Sequence, residues 1–281
     1  MSQVQIKKPL FGKEVGITIY DVDENLAYGA IEEAYNEGLR LSKIFNPFDS
    51  ASELTKLNKE REKKVSAELF YVIESALKIC ELTDGAYDIS LGKLIEQRKK
   101  SLKEAEPKCS FRDIKISGNK VILTHSEAMI DLGSIAKGYI GDRMAEKLQK
   151  QGIKSGLIDA RGDIRVFGEA RIIRIQHPRE MQKTIGSIKL ANNSVATSGD
   201  YRQYYGSFEN CHIVNRSDAI SVTAIAKELM WADGFATALF VLGKESREDL
   251  LERKNTVRAM VMDNKLRIEN YNGFEKYMIE G

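Results

Sequence analysis

Histidine, cysteine, proline and tryptophan are scarce in this chain: three, three, four and one among 281 residues. Three histidines without shared spacing exclude a histidine-rich metal centre. Cys80, Cys109 and Cys211 are odd in number, far apart and lack a Cys-x-x-Cys pair, so neither a disulfide framework nor a thiolate zinc site is expected. Few prolines together with 42% hydrophobic residues exclude a disordered chain. No apolar run approaches bilayer length, and Met1–Pro9 has neither a signal-type hydrophobic stretch nor a lipobox-like cysteine. The sequence therefore predicts no membrane segment and a cytoplasmic protein. Lys+Arg number 43 against 41 Asp+Glu, which removes the global electrostatic case for nucleic acid. The lack of a Gly-x-Ser-x-Gly or Walker motif leaves serine-hydrolase and P-loop chemistry unsupported.

What is present reads as one ordered domain over residues 1–281. Val15–Tyr20 alternates as a strand, and Ala27, Ile31, Ala34, Gly38 and Leu41 then follow at helical spacing. Pro47 disfavours helix at Asn46, so Phe45–Ser50 reads as a loop. The charged run Lys59–Lys64 reads as a solvated loop. Ser66 can cap a second helix with Leu69, Ile73, Ala76 and Cys80 on its apolar face, and Asp84-Gly85 stops it. Ser117-Gly118-Asn119 makes a hairpin turn inside Ile114–Ile130. A third helix runs from Ser134 to Gln151-Gly152. Short strands follow at Gly156–Ile158, Ile164–Phe167, Ile172–Ile175, Ile185–Leu190 and His212–Val214. A last helix covers Met230–Leu242, and Val257–Met262 with Leu266–Ile268 closes as a hairpin. Strands and helices do not alternate regularly, which favours α+β over a doubly wound sheet.

Several stretches carry chemistry-bearing residues. In Asp131–Tyr139 a carboxylate and Gly133-Ser134 precede a lysine inside a starting helix. Free N–H groups and Lys137 there favour phosphate, whereas Asp131 needs a metal or a ligand hydroxyl. Asp233 and Thr237 stand four apart on one helix face among small apolar neighbours. A buried carboxylate there needs a partner. With the Thr237 hydroxyl it suits a hard cation such as Mg²⁺, or it caps a helix or pairs with a buried base. Ser194–Tyr201 reads as a strand ending in a polar turn that turn chemistry alone explains, as it does Thr83–Asp88. His212 begins a short apolar strand and has the residue type for proton transfer, although its context alone favours a core histidine satisfied by hydrogen bonds.

Taken in order, these stretches resemble the FAD:protein FMN transferases, the ApbE-type flavin transferases. The resemblance rests on Ser52–Asn58, Asp84–Asp88, Asp131–Tyr139, Ser198–Tyr201, and Ser221-Val222-Thr223 followed by Ala232-Asp233 and Ala236–Leu239. It implies an α+β domain of mixed, mostly antiparallel sheet with packed helices, and a cleft between layers that takes FAD as substrate. It implies Mg²⁺ held by the Asp233 and Thr237 side chains and the Ser134 carbonyl. Asp131, Lys137 and Ala86-Tyr87-Asp88 would contact FAD. Phe11 and Phe48 fall where the family has a methionine and a tyrosine against the flavin, and Val214 falls in the strand beside it. His212 matches the family's histidine and would orient or deprotonate the incoming hydroxyl. The implied partner is an acceptor flavoprotein whose Thr or Ser receives FMN while AMP leaves.

Two departures from the family pattern stand out. Asn215-Arg216-Ser217-Asp218-Ala219 replaces the family's Asp-Pro-x-Thr-Gly, which bears on flavin binding and on the choice of acceptor. Asp159-Ala160-Arg161-Gly162-Asp163 replaces Asn-x-Gly-Gly-Asp, so Arg161 brings bulk and charge where glycine is usual. Two rival activities fit the same residues. One is a FAD pyrophosphatase that releases FMN and AMP; the other is a FAD-binding protein without catalysis.

Overall fold

Even-numbered residues of the N-terminal segment turn inward, Val4 and Leu10 fully, and make strand β1 (Gln3–Leu10), which turns at Phe11-Gly12 into β2 (Lys13–Tyr20). The computed structural model describes residues 3–100, 106–201, 204–205, 207–211, 213 and 217–279. Asp23 caps helix α1 (Glu24–Phe45) by accepting from Asn25 N and Leu26 N, and the helix stops just before Pro47. Helix α2 (Glu53–Glu60) and strand β3 (Glu62–Lys64) follow. The run Lys59–Lys64 is solvated as expected, with Lys59, Glu60, Glu62 and Lys64 exposed, but it spans a helix end and a strand rather than a loop. Arg61 between them takes a left-handed φ of 70° and donates its guanidinium to the Ala128 carbonyl at 2.6 Å.

Ser66 caps α3 (Ala67–Leu82), as its position before the apolar repeat predicts. Helix α4 (Gly92–Lys99) precedes the expected hairpin of β4 (Ile114–Ser117) and β5 (Lys120–Leu123). Helix α5 (Ala136–Lys150) begins two residues after Ser134 and ends at Gly152, whose φ of 86° suits glycine. The strands β6 (Gly156–Asp159), β7 (Ile164–Phe167), β8 (Arg171–Gln176), β9 (Thr184–Leu190) and β10 (Ser194–Gly199) match their sequence patterns. Short β11 (Tyr204–Tyr205) and β12 (Ser207–Cys211) precede β13 (Ala219–Ala226). Helices α6 (Leu229–Val241) and α7 (Lys244–Arg253), strands β14 (Arg258–Asp263) and β15 (Ile268–Tyr271), and β16 (Met278–Ile279) complete the chain. The strand expected at His212–Val214 lies largely outside the described residues.

Eight strands form one antiparallel sheet in the order β1-β2-β6-β7-β10-β13-β14-β15. Successive side chains leave a strand on opposite faces, so the sheet serves two cores. Ala196, Ala224 and Val261 face the larger core under α1, α5 and α6, whereas Val195, Ile225 and Met260 face a smaller one. The small sheet β16-β9-β8 covers that second face with Ile173, Ile188 and Leu190. The fold is α+β, built from antiparallel sheets and packed helices.

Neither α5 nor α6 begins with a capping side chain of its own. Asp142 of α5 instead accepts from Leu229 N at 2.9 Å and Met230 N at 2.8 Å, the first two amides of α6. Burial pushes the Asp142 carboxyl up to about 6, against the pull of those amides and of Arg165. In the unfolded chain it returns to 3.8, so between these values the native state binds the extra proton. Its contribution to stability is greatest below about pH 4 and declines as pH rises through 6, by up to about 3 kcal/mol. Urea unfolding of wild type and Asp142→Asn across pH 4–7 should therefore show wild type losing ground to the variant. A difference that is constant with pH would refute this role.

Candidate active site

Between the helices and the ends of the central strands lies a cavity of about 1270 Å³. Its lining includes Phe11, Phe48, Ala86, Tyr87, Asp88, Asp131, Ser134, Lys137, Asp233 and Thr237, all expected from the sequence. His212 and Val214 lie outside the described residues, while Ile213 between them lines the cavity.

The centre of the cavity is a buried charge cluster. Lys137 Nζ lies 3.0 Å from both carboxylate oxygens of Asp233 and 3.2 Å from Asp163 Oδ2, and it also donates to the Gly133 carbonyl. Burial pulls the Lys137 ammonium down, but the Asp233 and Asp163 carboxylates outweigh it and hold the group above the usual lysine range. Burial raises Asp233, Lys137 opposes the rise, and Asp163 adds to it. Two carboxylates thus share one ammonium, which leaves the cluster one positive charge short.

Asp233 has a second duty. Its Oδ2 accepts from Gly138 N at 3.1 Å, an amide in the first turn of α5. Gly138 N is one of the first-turn amides that a helix leaves without an internal acceptor, and Asp233 supplies it. A side chain at residue 138 would meet the Leu229 carbonyl at 2.5 Å, so only glycine permits this approach of α5 to α6. The Ser134 hydroxyl is engaged separately, 2.8 Å from the Tyr87 hydroxyl. Thr237 Oγ1 lies 2.9 Å from Ser198 Oγ on β10.

The remaining expected residues divide by role in the fold. Asp131 Oδ1 accepts from Gly133 N at 2.8 Å and shapes the turn before α5. Both Asp88 oxygens are committed to the loop, at 2.7 Å from Ser90 N and 2.9 Å from Phe111 N, and burial raises its carboxyl. The Tyr87 ring is buried, while Phe48 is 81% exposed at the rim, where a flat ligand can reach it. Asp163 and Ser198 belong to this site although residue type alone did not single them out. The signal for Asp163 was its place at the end of the Asp159–Asp163 turn.

The side-chain oxygens lining the cleft are carboxylates and hydroxyls, a set that suits Mg²⁺ better than zinc. Among the described residues no group of three or more His, Cys, Asp or Glu side chains surrounds a metal position. A hard cation here would complete its shell from water and ligand phosphates, and it would supply the missing positive charge. No helix among the described residues is long and apolar enough to cross a membrane.

The ApbE family profile matches residues 11–261. A FAD:protein FMN transferase of Vibrio cholerae is 29% identical over 257 residues, covering 80% of this chain and 75% of that protein. A FAD:protein FMN transferase of Haemophilus influenzae is 27% identical over 317 residues, covering 95% of this chain and 90% of its own. Among solved structures, the ApbE protein of Thermotoga maritima aligns with a TM-score of 0.87 at 24% identity, over 99% of this chain and 100% of that one. The flavin transferase ApbE of Vibrio cholerae aligns at 0.80 and 24% identity, over 98% and 99%.

The charge cluster makes a stability prediction. Replacing Lys137 by Met leaves two buried carboxylates without their cation and should cost about 3–5 kcal/mol. Adding Asp233→Asn should recover part of that loss in urea titrations. A Lys137→Met protein as stable as wild type would show that the ammonium does not neutralise the pair.

Proposed function

The chain belongs to the ApbE family, and from that footing we propose that it transfers FMN from FAD to a Thr or Ser hydroxyl of an acceptor flavoprotein. The convergence in one cleft of Asp131, Ser134, Lys137, Asp233 and Thr237, with Asp163 beside them, carries this reading. Relatives that bear the name FAD:protein FMN transferase across most of their length support it. Residues 1–281 act as one domain on this view.

The FAD pyrophosphate lies against the N-terminal turn of α5, with Asp131 and the Ala86-Tyr87-Asp88 turn along the nucleotide. The flavin ring meets Phe48 at the rim and Phe11 in the β1–β2 turn, and Val214 by the family resemblance. Asp233, Thr237 and the Ser134 carbonyl would hold Mg²⁺, which would supply positive charge to the phosphates. Lys137, paired with Asp233 and Asp163, is the cation nearest that position among the described residues. The acceptor hydroxyl oxygen forms a bond to the FMN phosphorus, and the bond from that phosphorus to the bridging oxygen breaks. AMP leaves with the bridging oxygen. His212 receives the hydroxyl proton, the role the family resemblance gives it. Free thiols at Cys80 and Cys109 accord with a reducing compartment, and the proposal includes a cytoplasmic setting.

Incubation with FAD, Mg²⁺ and a candidate acceptor, followed by AMP and acceptor-bound flavin fluorescence, tests the reaction. Transfer gives AMP and labelled acceptor in equal amounts. AMP with free FMN would establish hydrolysis instead, and bound FAD without AMP would leave only binding. Asp233→Ala or excess EDTA should lower turnover about 100-fold or more, the rate equivalent of several kcal/mol of charge stabilisation. The Asp233→Ala protein should remain folded, because Asp163 still pairs with Lys137. Undiminished turnover in that variant would overturn the metal assignment.

A further inference from the structure

Two hairpin turns meet at the same end of the central sheet and border the cleft together. In the β1–β2 turn, Phe11 and Gly12 take φ of 56° and 72°; in the β6–β7 turn, Arg161 and Gly162 take 68° and 97°. Phe11-Gly12 is a two-residue hairpin loop and Arg161-Gly162 the middle of the four-residue Ala160–Asp163 connection, and positive φ at such positions favours Asn, Asp or Gly. Phe11 and Arg161 occupy such positions in spite of the steric cost of a Cβ in the left-handed region. Strain of this kind at two adjacent turns persists only where surrounding contacts hold it.

One contact holds both. Arg161 Nη1 donates to the Phe11 carbonyl at 3.0 Å, so the guanidinium of one turn grips the backbone of the other. The base of the Arg161 turn is tied in its own right. Asp159 Oδ1 accepts from Gly162 N at 2.6 Å, and Ala160 N donates to the Asp163 carbonyl at 2.8 Å. Asp163 in turn bears on Lys137, so the clamp is continuous with the charge cluster. The expected intrusion of bulk and charge at residue 161 is thereby reinterpreted. The side chain spans to Phe11 along the cavity wall, and both residues line the cleft.

We propose that Arg161 is a positioning residue that fixes the Phe11 turn, and with it the Phe11 ring, against the flavin end of the bound nucleotide. It sets affinity for the isoalloxazine-bearing part of the ligand and leaves the rate of phosphoryl transfer largely alone. A glycine here would relax the turn but release Phe11, so stability and affinity should move in opposite directions. The inference rests on the flavin reading of the cleft.

The test compares wild type, Arg161→Gly and Arg161→Lys by fluorescence titration with FAD, FMN and AMP, by thermal unfolding, and by kcat and KM for FAD. Arg161→Gly should bind FAD and FMN about 5–10-fold more weakly, with AMP affinity unchanged, kcat within twofold and a melting temperature equal to or above wild type. Arg161→Lys, which keeps one donor for the Phe11 carbonyl, should regain part of the affinity. Phe11→Ala should weaken FAD binding in wild type but add little on top of Arg161→Gly, because the two act as one unit. FAD binding by Arg161→Gly within twofold of wild type, or additive effects of the two substitutions, would overturn the clamp alone. Wild-type protein that binds neither FAD nor FMN would instead overturn the flavin reading, and the clamp with it.

Discussion

Helices α5 and α6 start without caps of their own, and each takes a carboxylate from the other. Asp142 of α5 closes the first turn of α6, and Asp233 of α6 reaches an amide in the first turn of α5. A helix N-terminus carries exposed amides and a partial positive charge, so a buried carboxylate is well matched to it. The reciprocal arrangement locks the two helices in register and in relative depth. Lys137, Asp233 and Thr237 at the centre of the cleft ride on this pair of helices.

The lock leaves electrostatic strain at the cleft. Asp233 serves α5 and at the same time faces Asp163, and Lys137 is the cation common to both. Such a cluster is stable enough to fold yet remains short of positive charge. The proposed divalent ion would relieve that shortfall. The contact of Asp233 with the Gly138 amide ties α6 to α5 at the same carboxylate that meets Lys137. Structural and functional roles are not separable at these residues. The same economy holds at the sheet end, where Arg161 joins two strained turns and lines the cleft.

Much of this was legible in the sequence, and the gaps have physical causes. The helical repeats of α1, α3 and α5 stood out because each buries one face, and Ser66 and Gly152 marked boundaries through capping chemistry. Strand β13 gave no alternating signal because all eight of its positions are buried. The run Lys59–Lys64 is exposed as its charge implied, but charge says nothing of backbone pairing, and there Arg61 finds carbonyls 62 to 67 residues away while Glu62–Lys64 joins a sheet. At the site, Asp131, Ser134, Lys137, Asp233 and Thr237 were recognisable as chemistry-bearing positions. Asp163 and Ser198 were not, since a lone carboxylate or hydroxyl beside a turn has many ordinary explanations.

By itself, the sequence determined the α+β class, the place of its four most strongly patterned helices, α1, α3, α5 and α6, though not of α2, α4 and α7, most of its strands, and the kinds of group available for a nucleotide and a hard cation. These follow from local periodicity, capping residues and functional-group chemistry, all of which act over a few residues. Only the tertiary structure decided that Asp233 caps α5 and pairs with Lys137 across 96 residues of chain. It alone joined Arg161 to Phe11 across 150. The physical reason is that a buried charge or an orphan amide fixes how many partners it requires but not which ones. That choice is made when packing brings distant segments together and removes water as the alternative.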